Sequence, residues 1–134
     1  MRLATNIHSK DDVLKVSEAS INICNLRLRT YIGFNPEEKA KQQDVIINIL
    51  IRYSADLAFH SDDEEDALNY KTITKSMILH TEHGRFHLLE KLASDLLTIA
   101  TESKRVSFAE IKVDKPHALR FADSVSVTLS ATRD

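Results

Sequence analysis

Apolar and polar residues alternate from Ile21 onward: Ile21 and Ile23, then Leu26 and Leu28 with Arg27 and Arg29 among them, with a break at Asn25. A period of two marks a half-buried strand, and the break predicts a bulge or a change of face near Asn25. Gly33 and Pro36 end that strand. The polar stretch Glu37 to Gln43 then leads into Asp44 to Tyr53, DVIINILIRY, a long β-branched strand that makes a wide hairpin with the first. Beyond Tyr70 the period lengthens. Ile73, Met77 and Ile78, with His80, fall at helical spacing between Thr72 and His83, and Gly84 supplies the stop. Leu88, Leu89, Leu92, Ala93, Leu96, Leu97, Ile99 and Ala100 recur at steps of three and four, which predicts a strongly amphipathic second helix. Alternation returns from Val106 to Val113 and again from Ser124 to Ser130, where Val125, Val127 and Leu129 alternate with hydroxyl residues.

The element order is therefore ββααββ, an α+β pattern that predicts a four-stranded antiparallel sheet with two helices on one face. The other face needs cover, and no proline protects the strand edges, so a closed ring of copies is expected rather than a monomer. Residues 1–20 show no sustained period and read as a loosely attached extension to a single domain over residues 21–134.

At 134 residues the chain is too short for two sizeable cores, and its 43% hydrophobic and 28% charged content is that of an ordinary globular domain. A net charge of −2 removes the broad positive field of a nucleic-acid binder. No apolar run approaches the roughly 20 residues that cross a bilayer, and the N-terminus does not resemble a signal peptide, so the expected setting is the cytoplasm, away from membranes. Cys24 is the only cysteine and reads as a small packed residue of the first strand. Two glycines in the whole chain leave no room for a glycine-rich phosphate loop.

Candidate chemistry is sparse. Glu90 stands among leucines at the start of the second helix, where it either points to water beside Lys91 or offers a bidentate carboxylate to a planar donor edge. Lys115, ahead of Pro116 at a strand end, reads as a solvated charge when taken alone, and Tyr70 as a packing residue. The acidic run from Asp62 to Asp66 reads as a solvated loop or helix start. His80, His83 and His87 have spacings that suggest zinc, but the stop at Gly84 argues against a common face and hence against a metal.

Four stretches in order, NLRLRTYIG, ALNYKTITK, RFHLLEKLASDLL and VDKPHALRFADSVSVTLS, resemble the dihydroneopterin aldolase and dihydroneopterin triphosphate epimerase family over Ile21 to Leu129. RLRT ahead of the glycine, LNY followed by a basic residue, and HALRFADSVS resemble the epimerase branch more than the aldolase branch. The resemblance implies the tunnelling fold (T-fold), whose subunits join sheets into a barrel and stack two tetrameric rings into a homo-octamer with active sites at subunit interfaces. It also implies that Glu90 holds the 2-amino group and N3–H of a pterin, with the backbone at Leu89 lining the same pocket. Lys115, Tyr70 and Glu38 are then the catalytic residues, and His117 and Arg120 the side chains best placed to meet a triphosphate. Arg27, Arg29 and Lys71 extend that group of cations.

The chemistry so implied is epimerisation at the 2′ carbon of 7,8-dihydroneopterin triphosphate by retro-aldol cleavage and re-addition. The N5=C6 imine of the dihydropterin is the electron sink, so neither cofactor nor metal is called for. The alternatives are a dihydroneopterin aldolase that releases glycolaldehyde and, from a different class, a non-catalytic pterin-binding module that would keep Glu90 and dispense with Lys115.

Overall fold

The computed structural model describes residues 6–8, 13–15, 18–54 and 56–134. Two three-residue strands, Asn6–His8 (β1) and Val13–Lys15 (β2), pair antiparallel near the N-terminus. The remainder of the expected loose extension over residues 1–20 falls mostly outside the described residues.

The first alternating stretch forms the strand Ala19–Ile32 (β3), longer than its hydrophobic pattern indicated. A short helix, Pro36–Ala40 (α1), occupies the polar connection to Gln43–Tyr53 (β4), and a further helix, Asp56–Ser61 (α2), follows it. The two long helices are Tyr70–Glu82 (α3) and Leu89–Ala100 (α4), separated by a two-residue strand, Arg85–Phe86 (β5). Val106–Pro116 (β6) and Ser124–Thr132 (β7) complete the chain. Four strands, β3-β4-β6-β7, form the expected antiparallel sheet, and β5 adds a short parallel edge beside the end of β3.

Alternation decides which face is buried. Val45, Ile47, Ile49 and Ile51 of β4 and Ala109, Ile111 and Val113 of β6 point to one side, where Met77 of α3 and Leu92, Ala93, Leu96 and Ala100 of α4 cover them. The intervening residues, among them Asp44, Ile46, Arg52 and Lys112, lie on the face without helices and stay partly or fully exposed.

The predicted irregularity is a bulge: pairing with β4 shifts between Ile23 and Leu26, and Asn25 takes a left-handed conformation with φ 54. Asparagine tolerates that region, and the Asn48 side chain accepts its N–H at 2.9 Å. The structure corrects the expectation for Cys24, which the parity of Ile21 and Ile23 turns outward. Ile23 and Leu26 both pack against the core, and Cys24 is exposed rather than packed.

The acidic run is solvated, with Asp63 capping one 3₁₀ turn over Glu64–Asp66. Leu96 tests the helix-sheet layer. Leu96→Ala removes a fully buried side chain and is expected to lower stability by about 2–5 kcal/mol in chemical denaturation.

Candidate active site

The loop after β3 is built around one carboxylate. Asn35, Pro36, Glu37 and Glu38 form a capping box: the Asn35 side chain accepts the Glu38 N–H at 2.8 Å, and the Glu38 carboxylate accepts the Asn35 N–H at 3.4 Å. Gly33 makes room for this. Its φ is +119, and a Cβ there would lie 2.2–2.5 Å from the Glu38 carboxyl group. A side chain at position 33 and Glu38 in its present place are therefore incompatible. The Gly33 N–H donates to the Phe86 carbonyl at 2.9 Å, which ties this turn to β5.

Lys115, near the end of β6 and on its core-facing side, reaches across to the Glu38 carboxylate. Only 12% of the Lys115 side chain and 20% of the Glu38 side chain remain exposed. The hydrogen bond from Lys115 holds the Glu38 pKa below the ordinary glutamate value, helped by the Asn35 and Phe34 N–H groups and opposed by partial burial. Glu37, the neighbouring alternative in the sequence, is exposed.

Leu89 and Glu90 open α4 at the same end of the sheet, because β5 just before them pairs with Tyr31 and Ile32 at the end of β3. Leu88, at the helix N-cap, gives the first amides of α4 no side-chain hydrogen bond, and Glu90 in the first turn is exposed.

Tyr70 is elsewhere. Asn69 caps α3 by accepting the Thr72 N–H at 3.0 Å, and Tyr70 follows it, 48% exposed, at the helix start. It lines a cleft of about 650 Å³ with Ile23, Cys24, Lys71, Thr74 and Lys75. That places it beside the first half of β3, whereas Glu38 packs on Gly33 beyond the other end. Roughly ten residues of extended chain separate Ile23 from Gly33, on the order of 30 Å. The structure thus brings Lys115 and Glu38 into contact, sets Leu89 and Glu90 at their end of the sheet, and leaves Tyr70 at the opposite end.

His117 and Arg120 lie in the exposed loop between β6 and β7. His117 lines a cleft of about 380 Å³ with Arg27, Arg29 and Asp44, while the Arg120 guanidinium lies 5.4 Å from the Phe121 ring centre. Lys71 is in the Tyr70 cleft instead. Of the three histidines, His80 bonds Asp95 at 2.7 Å, and α3 ends at Glu82, so His87 is not on its helix. Partial burial pushes Asp95 up, but its bonds with Lys91 and His80 outweigh that and leave it below the ordinary aspartate value.

Sequence reasoning missed the Gly33 contact and the capping role of Asn35. The N-P-E-E spacing was the available signal, since Asn at the cap with Glu three residues later is a capping box.

A family profile described as dihydroneopterin aldolase (FolB) matches residues 21–130. A dihydroneopterin triphosphate 2'-epimerase of Escherichia coli is 56% identical over 115 residues, which is 86% of this chain and 96% of that protein. The Pseudomonas aeruginosa protein of the same description is 50% identical over 120 residues, covering 90% of this chain and 98% of its own. Among solved structures, Escherichia coli dihydroneopterin aldolase in complex with neopterin superposes with TM-score 0.79 at 27% identity, over 84% of this chain and 98% of that one.

The Lys115–Glu38 pair has a pH signature. A lowered carboxyl pKa means that its stabilisation is present above the unfolded glutamate value and is lost as pH falls through the lower folded value. The Glu38 carboxyl carbon, followed by NMR, is expected to titrate below the ordinary glutamate range and to move up in Lys115→Met. No change between the two proteins would mean that the pair does not form in solution.

Proposed function

The chain belongs to the dihydroneopterin aldolase family, and from that premise we propose that it epimerises 7,8-dihydroneopterin triphosphate at the 2′ carbon. The contact between Lys115 and Glu38 carries the proposal, because it sets a proton-transferring amine, oriented by a carboxylate, at the end of the sheet where Glu90 can hold a pterin. High identity to two dihydroneopterin triphosphate 2'-epimerases supports the same reaction here.

Glu90 accepts the pterin 2-amino group and N3–H, and the amide N–H groups at the start of α4, with the Leu89 backbone, complete the edge. The Lys115 ammonium, held by Glu38, gives its proton to N5, directly or through water, and takes the proton of the 2′ hydroxyl in return. The C1′–C2′ bond then breaks, its electron pair enters the N5=C6 imine, and N5 is protonated as the aldehyde fragment separates. Tyr70 handles a proton on the enol-like intermediate. Rotation of the aldehyde followed by re-addition on its other face restores the bond and the imine with C2′ inverted. The His117–Arg120 loop, which follows Lys115 directly, faces the side-chain end of the substrate.

Tyr70 serves this chemistry from a neighbouring copy, since a single chain holds it at the far end of the sheet from Lys115. Subunits join by the edges of their sheets into a ring, with two rings stacked as an octamer. The enzyme works in the cytoplasm, where the exposed Cys24 thiol stays reduced.

A second reading is dihydroneopterin aldolase, favoured by the description of the matching family profile and by the neopterin-bound aldolase of similar fold. The two differ after the shared cleavage step: an aldolase releases glycolaldehyde and leaves 6-hydroxymethyl-7,8-dihydropterin.

Purified protein is expected to convert the triphosphate mainly to its epimer, resolved chromatographically from 6-hydroxymethyl-dihydropterin. Efficient cleavage of unphosphorylated dihydroneopterin would favour the aldolase instead. Lys115→Ala is expected to lower kcat about 10²–10⁴-fold with little change in pterin binding, and Glu90→Ala chiefly to weaken binding. Equal loss of both in Lys115→Ala would assign that residue a structural role.

The shared site has its own test. Tyr70→Phe and Lys115→Ala chains, each impaired alone, should regain about a quarter of parental activity when refolded together, the fraction of random neighbour pairs that restores one intact site. Mixed assemblies without recovery would sink the shared site.

A further inference from the structure

Two arginines on the helix-free face of the sheet have no part in the chemistry above. Arg27 and Arg29 alternate with Leu28 and Thr30, whose side chains are buried, so both guanidiniums emerge on the opposite side. They line the cleft of about 380 Å³ whose far wall is Pro116 and His117. Arg29 is held in place there: it donates to the Gln42 carbonyl at 2.9 Å and lies 3.7 Å from the Asp44 carboxylate. His117 has φ 62, a left-handed conformation uncommon outside glycine, at the point where the chain leaves β6 two residues after Lys115. The cleft thus starts at the strand end that carries the proposed catalytic amine and sets two guanidiniums and an imidazole against one carboxylate. Guanidinium forks suit phosphate oxygens better than any other side chain.

We propose that Arg27, Arg29 and His117 together hold the triphosphate of the substrate and so set the preference for the phosphorylated pterin, which rests on the epimerase reading. Arg120 does not line this cleft; its guanidinium lies over the Phe121 ring.

The assay compares the parent with Arg27→Gln, His117→Asn, Arg120→Gln and the remote charge control Lys104→Gln. Asparagine is chosen at 117 because it tolerates the left-handed backbone. Two quantities are read: affinity for inorganic tripolyphosphate by calorimetry, and the ratio of kcat/KM on dihydroneopterin triphosphate to that on dihydroneopterin. Arg27→Gln and His117→Asn should each lower both by about tenfold or more, the loss of one charge-assisted contact, and Lys104→Gln should lower neither. A fall confined to Arg120→Gln, or none in Arg27→Gln and His117→Asn while the parent still epimerises the triphosphate, would overturn the cleft and leave the activity standing. Loss of tripolyphosphate affinity in those two variants, in a parent that turns over neither pterin, would overturn the epimerase reading instead.

Discussion

The alternation of Val45, Ile47, Ile49 and Ile51 with polar or half-exposed neighbours commits one face of the sheet to α3 and α4, and every chemical feature takes its position from that commitment. Neighbouring strands must follow the same parity, because a slip of one residue would exchange buried and exposed faces. Lys115 shares the parity of Ile111 and Val113 and so arrives on the helix side, within reach of α1. Arg27 and Arg29 have the opposite parity and emerge on the open face. Asn25 accommodates the break within β3 by taking a left-handed backbone conformation.

At the end of the sheet the packing rule gives way to polar contacts. Gly33 has no side chain, Glu38 fills the space a side chain would take, and the same carboxylate closes the cap of α1 and receives Lys115. A single group satisfies a helix end and a half-buried cation, so its position is fixed from two directions. That is the kind of support a proton-transferring residue needs, since its reach must be set before substrate arrives.

Tyr70 shows the opposite arrangement. Asn69 fixes the start of α3 firmly, but the thirteen residues of that helix, about 20 Å long, carry the tyrosine away from the end where Glu38 and Glu90 stand. One chain thus keeps its candidate groups at two ends of one sheet.

Much of this was legible in the residues. Period-two and period-3.6 patterns determined the four main strands, the two long helices and the bulge, because burial of one face imposes those periods directly. Short elements were not legible: α1, α2 and β5 are set by caps and by pairing with β3, which leave little periodic trace. The motifs singled out Lys115, Glu38, Glu90 and Tyr70, but no spacing could say that the first two touch, lying 77 residues apart, or that Tyr70 stands away from them. Cys24 was misplaced although the parity of Ile21 and Ile23 already turns it outward, and Arg27 and Arg29 gained His117 as a neighbour only through the turn after Pro116. Sequence by itself determined which faces are buried, a local property of each element. Tertiary structure alone decided which side chains meet, because contacts between strand ends, loops and helix caps depend on register and turns that bring distant residues together.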